Sequence, residues 1–263
     1  MKPGRFFPFI VSVILALGKL YAQNDFYDTE IVREIRIAFE QSDWDYILDS
    51  LFTATGEERL TATLTVDGTV LDSVGIRYKG YSSVNTDRIK NPLNIKLDHI
   101  IANQEYMGVN KIKLSNVIHD PAFIREVLSY RVARQYMPAS KANFANVYIN
   151  DSLIGLYTNV EAVNKDFSCV HFGSRENSFF KGNPAELDYP YGSNSNLQYY
   201  DDDTASYFPY YTIESESGWG DLLALIRALD QDPDSIENIL YIDRTLWMHA
   251  LNYTLVNLDS YIA

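Results

Sequence analysis

Between residues 60 and 78 the chain spells out a β-hairpin. Leu60-Thr61-Ala62-Thr63-Leu64-Thr65-Val66 is a β-rich run, Asp67-Gly68 is the strongest two-residue turn signal, and residues 69–78 return as a second run. Two-residue loops join antiparallel strands, so this stretch commits its neighbourhood to an antiparallel sheet. A second hairpin is expected about Asn150-Asp151, between residues 145–149 and 154–160. Alternation places further strands at residues 31–39, with Ile31, Ile35, Ile37 and Phe39 interleaved with charge, and at residues 93–97. Helical spacing puts Trp44, Ile47, Leu48 and Leu51 on one face of a helix over residues 42–51, with Ser42 as cap. The strongest helix opens at Asp120-Pro121 and carries Phe123, Ile124, Val127, Leu128 and Ala133 to about Met137. Residues 183–211, rich in Tyr, Asn, Asp and Gly, read as an irregular insert, followed by helices at 219–229 and 245–256. Strands, helix, strands, insert, helices is the order of an α+β chain, not of an alternating parallel sheet.

The first 22 residues read as a secretory signal peptide. Lys2 and Arg5 precede an apolar run over residues 6–17, and a cleavage site follows Ala22. That run is short of the roughly 20 residues a bilayer span needs. The expectation is a mature chain of residues 23–263 in one large domain or two small lobes, with no stable membrane span, secreted or held in the cell envelope. Cys169 is the single cysteine, so no internal disulfide is available and the core must hold the fold. The chain has 35 Asp plus Glu against 22 Lys plus Arg, and cleavage would remove only cations. Such an acidic balance argues against nucleic acid as partner, because phosphate contacts need clustered Lys and Arg. Four scattered His give no zinc spacing, and Asp201-Asp202-Asp203 lacks the pattern of a calcium loop.

Five short stretches carry a resemblance. They are Val74-Gly75-Ile76-Arg77-Tyr78-Lys79-Gly80-Tyr81-Ser82-Ser83; Lys90-Asn91-Pro92-Leu93-Asn94-Ile95-Lys96-Leu97; Asp120-Pro121 through Arg125-Glu126; Val147-Tyr148-Ile149-Asn150 with Gly155-Leu156-Tyr157 and Glu161; and Asn257-Leu258-Asp259. In this order they resemble the CotH kinase family of spore-coat and secreted proteins, over residues 31 to 263. The resemblance implies a protein-kinase-like, two-lobed fold, with an N-lobe over about residues 30–160 and a partial C-lobe over about 161–263. It further implies ATP, Mg or Mn, and phosphoryl transfer to Ser or Thr of a protein substrate.

Those implications assign roles. Gly80 lets the loop approach phosphates, Ser82 and Ser83 add donors, and Arg77 and Lys79 add charge. Without the resemblance the same loop reads as an ordinary polar hairpin end. A strand lysine steadied by a helix glutamate is expected at Lys96 and Glu126, with Lys90 competing for the lysine's place. Glu161 falls near the adenine edge, and Asp259 takes the position of the base that orients the acceptor hydroxyl. Two other readings stand beside this one: a non-catalytic coat-type or adhesion protein of the same fold, and a carbohydrate-binding protein suggested by the aromatic residues and acids. Relatives are expected to continue past the aspartate to a metal-binding Asp, whereas this sequence stops at Ala263. Residues 23–263 are therefore expected to transfer little or no phosphate from Mg-ATP or Mn-ATP to a generic protein substrate, and robust turnover that depends on Asp259 would contradict this.

Overall fold

The structure, a computed structural model, describes residues 25–80, 82–183, 195–257 and 260. The signal segment of residues 1–22, Tyr81 and Asp259 lie outside the described residues. Seven strands form one sheet: β1 (Val32–Ala38), β2 (Leu60–Val66), β3 (Thr69–Tyr78), β4 (Leu93–Lys96), β5 (Lys111–Ser115), β6 (Ala142–Ile149) and β7 (Ser152–Val160). Neighbours run β1-β2-β3-β4-β5-β7-β6, and the sheet closes into a barrel. Every pairing is antiparallel except the one that closes it, where β1 lies parallel to β6 from Val32↔Phe144 to Ile37↔Ile149.

Both hairpins form where the turn chemistry placed them. Asp67 and Gly68 take φ of 47° and 86°, and Asn150 and Asp151 take 45° and 65°. Two consecutive left-handed residues match the twist of the flanking strands, which is why Asp, Asn and Gly sit there. Alternation then fills the barrel. Ile35, Leu64, Val74, Ile76, Ile95 and Leu114 are all fully buried.

One end of the barrel is polar and tied to the segment before β1. Arg33 points inward and donates to the carbonyls of Phe26 at 2.9 Å and Asp25 at 2.6 Å, and pairs with Asp67 at 3.0 Å. Asn143, fully buried, donates to the carbonyls of Phe26 and Asp28 at 3.0 Å and accepts from Asn159 at 2.9 Å. These bonds plug the barrel with the segment before β1 and supply the Phe26 carbonyl with its two donors.

The helices are α1 (Trp44–Ala54), α2 (Arg125–Ala133), α3 (Lys165–Phe172), α4 (Trp219–Gln231) and α5 (Ile242–Leu255), with a small sheet of β8 (Phe180–Gly182) and β9 (Tyr211–Ile213) between α3 and α4. The mixed, largely antiparallel character is as expected; closure of the sheet into a barrel was not. The expected helix from Pro121 starts later, at Arg125. Phe123 takes φ of 61°, which breaks the helical path, and Asp120 reaches past that turn to accept from the backbone N–H of Arg125 at 2.7 Å. Ser42 is likewise not the cap of α1; Asp43 occupies that position without a side-chain bond.

Asn143→Ala leaves the buried Asn159 amide without its partner and takes away one of the two donors to each of the Phe26 and Asp28 carbonyls. It should cost about 2–3 kcal/mol of folding stability, read by urea unfolding. A change within a few tenths of a kcal/mol would mean that this plug is not structural.

Candidate active site

The site is built on the outside of the barrel. In β3, Val74, Ile76 and Tyr78 point inward and are buried, so Gly75, Arg77 and then Lys79 point out. The same alternation sends Asn94 and Lys96 of β4 and Lys111, Lys113 and Ser115 of β5 outward. Register sets these residues in rows: Arg77–Asn94–Lys113–Val160 is one, Gly75–Lys96–Lys111 the next. Lys79 continues β3 by donating its backbone N–H to Pro92 O at 3.0 Å, and Ser115 lies opposite Thr158.

Helix α2 crosses this outer face. Val127 packs with Val160 and Ala142, and Tyr130 and Phe144 pack against that cluster. The contact brings the preceding residue, Glu126 in the first turn of α2, over the row of Ser115 and Thr158. A short relay results: Lys79 Nζ donates to Ser115 Oγ at 3.0 Å, and Ser115 Oγ donates to Glu126 Oε1 at 3.2 Å. Burial pushes the Glu126 carboxyl above the ordinary glutamate range, while Lys79 and the hydroxyls of Ser115 and Thr158 pull it down. Burial lowers the Lys79 ammonium, and Glu126 opposes that shift. Lys113 stands one row away, lowered by burial and then by Lys111, Lys79 and Lys181, with Glu214 opposing.

The loop after Lys79 is shaped for close approach. Gly80 takes φ of 81°, and a Cβ there would lie 2.8 Å from Ser83 Oγ. Two buried asparagines hold the loop. Asn91 accepts from the N–H of Asn85 at 2.8 Å and donates to the carbonyls of Asn85 and Arg88. Asn116 donates to the carbonyls of Ser83 at 2.9 Å and Lys90 at 3.2 Å. Lys79, Ser83, Ser115 and Glu126 line an open cleft of about 760 Å³, walled on the far side by Leu251 and Asn252 of α5 and by Asn257.

The expected site residues separate on this frame. Lys79, Gly80, Ser83 and Glu126 come together, and Ser82 lies exposed in the same loop. Lys96 does not stand beside Glu126. It lies two rows along the sheet, opposite Gly75 and Lys111, and Lys79 occupies the place expected of it. Lys90 packs over the rings of Phe123 and Tyr157, at 4.9 and 5.2 Å from their centroids. Arg77 faces away, onto the Gly56 carbonyl and Glu57 at 3.2 Å. Glu161 clamps the end of β7 to the start of β6, accepting from the Lys141 N–H at 2.9 Å. Asp259 lies outside the described residues; Asn257, two residues before it, lines the cleft. Sequence reasoning missed Lys113, Ser115 and Asn116. Their signal was the alternation Lys111-Ile112-Lys113-Leu114-Ser115, one strand ahead of the helix that carries Glu126.

Phosphate groups suit these residues. Among the described residues neither Lys79 nor Lys113 has a carboxylate within ion-pair distance, and Gly80 clears a path to the loop's backbone. For a divalent ion, no group of three His, Cys, Asp or Glu side chains stands together among the described residues.

A carboxyl whose folded-state pKa lies above its unfolded value holds an extra proton when folded. The Glu126 contribution to stability therefore falls as pH rises from the unfolded glutamate value through the raised one. Lys79→Met removes the cation that restrains this shift. The Glu126 titration, followed by carbon NMR of its carboxyl, should move further up; an unchanged or lower value would contradict the relay.

A family model described as CotH kinase protein matches residues 76–263, more than two thirds of the chain, from the last residues of β3 through the cleft. No curated protein matches. With the strand lysine, the helix glutamate and the glycine loop inside the matched span, the chain belongs to the CotH kinase family.

Proposed function

We propose that this chain is the ATP-binding part of a secreted protein kinase, one that moves the γ-phosphoryl of ATP to a Ser or Thr hydroxyl of a protein. The relay from Lys79 through Ser115 to Glu126 supports this reading most directly. It holds an ammonium at the mouth of a cleft, next to a loop whose glycine admits a phosphate. On this reading the barrel, residues of about 30–160, is the nucleotide-facing lobe, and residues of about 161–263 begin a second lobe. The N-terminal signal would carry the protein to the cell envelope or beyond.

Lys79 and Lys113 would neutralise phosphate charge, and the N–H groups of Gly80, Ser82 and Ser83 would donate to phosphate oxygens. Glu126 would fix the direction of Lys79 through Ser115. Asp259 would accept the proton of the attacking hydroxyl. The divalent ion that the family implies would neutralise charge developing on the transferred group, and the described residues offer it no ready-made cage.

Titration calorimetry with ATP in the presence of Mg²⁺ or Mn²⁺ tests the binding step. Lys79→Ala removes a charge-assisted contact of about 1.5–3 kcal/mol and should weaken ATP by roughly ten- to a hundredfold. Asp259→Ala should leave ATP binding unchanged. Equal affinity of wild type and Lys79→Ala would overturn the placement of the phosphates.

A further inference from the structure

The rest of the outer face carries a second cationic group that the nucleotide reading does not use. Arg59, just before β2, lays its guanidinium across β3 and β4 and donates to the carbonyls of Gly75 at 3.1 Å and Asn94 at 2.8 Å, and to Asn94 Oδ1 at 3.2 Å. Lys96 and Lys111 are register partners on adjacent strands, and Gly75 completes their row. The ring of His99 lies over Gly75 so closely that a Cβ there would sit 2.5 Å from it. Arg59, Lys96, His99 and Lys111 are all half-buried, and among the described residues none of them forms an ion pair. The acids Glu57, Asp98 and Glu214 exert only longer-range influence on this group. Burial, then repulsion from Arg77, holds Arg59 down to about 10, and burial with repulsion from Arg59 and Lys96 lowers Lys111 and His99.

Clustering the three cations Arg59, Lys96 and Lys111 on a folded surface, with a histidine beside them, is costly unless an anion offsets it. In a chain of net charge −13 such a patch is also a local reversal of sign, and this sets which anion can use it. A long polyanion would meet the acidic remainder of the surface. A triphosphate held at Lys79 would lie about 13 Å along β3 from Gly75, at the strand rise of 3.3 Å per residue. The patch spans β3 to β5, about 10 Å across at the usual strand spacing. That suits a few carboxylates on a short extended peptide.

We propose that Arg59, Lys96, His99 and Lys111 form a docking site for an acidic segment of the protein substrate, beside the nucleotide. The proposal rests on the kinase reading for the word substrate, while the binding itself can be tested apart from it.

The test is fluorescence anisotropy with a labelled peptide of alternating Glu and Ser, against the full chain, with ATP binding measured in parallel. Wild type should bind the peptide, and more weakly as salt rises. The double reversal Lys96→Glu/Lys111→Glu should weaken the peptide at least tenfold and leave ATP within about twofold. Lys79→Ala should do the opposite. The neutral pair Lys96→Gln/Lys111→Gln, with the fold checked by circular dichroism, should show a smaller loss in the same direction if reversal disturbs folding. Failure of ATP to bind, with the peptide still lost on reversal, would sink the nucleotide reading and leave the acidic site standing. Peptide affinity indifferent to both pairs, a Lys–Ser peptide binding as well as the acidic one, or ATP lost on reversal would overturn the docking site.

Discussion

The pairing on which this structure depends is the parallel ladder between β1 and β6. It joins two strands more than a hundred residues apart and turns an antiparallel meander into a closed barrel with no free edge. Closure fixes the tilt and register of every strand, so outward-facing residues stand in defined rows. Lys79, Ser115 and Thr158 share one end of those rows, and the Val127–Val160 contact sets α2 across them. The relay from Lys79 to Glu126 is thus a product of strand register and one apolar contact. The buried plug of Arg33 and Asn143 secures the same barrel from inside, one residue along the strands from the Ser115–Thr158 row.

Electrostatics gives this face its character. The chain is strongly acidic, yet its outer β3–β5 face carries lysines and an arginine with few carboxylates close by. Arg59, Lys111 and Lys113 are lowered by burial and by neighbouring cations, so the free protein bears a standing cost. Anionic ligands relieve that cost, the phosphates at one end of the rows and acidic side chains at the other. Placing Glu126 within reach of Lys79 and not of Lys96 divides the face into these two parts.

What the sequence made legible was local. Asp67-Gly68 and Asn150-Asp151 announced their turns because left-handed backbone needs those residues, and the alternation of β1, β3 and β4 announced their inner faces. Gly80 and Glu126 were found through motif order. Barrel closure was not legible, since pairing of β1 with β6 depends on three-dimensional return of the chain and leaves no periodic mark. The partner of Glu126 was misassigned for the same reason: Lys96 and Lys79 both point outward, and only register shows which one α2 overlies. Glu161 looked functional beside its strand, but its carboxylate closes a backbone gap at Lys141.

The most direct test of the central claim is labelling with an acyl-phosphate derivative of ATP, which transfers its acyl group to lysines held against the phosphates, followed by peptide mass spectrometry. The account predicts label on Lys79 or Lys113, suppressed by excess ATP, with Lys90, Lys96 and Lys111 spared. Label concentrated on Lys90 or Lys96, or label on Lys79 that ATP does not suppress, would contradict it.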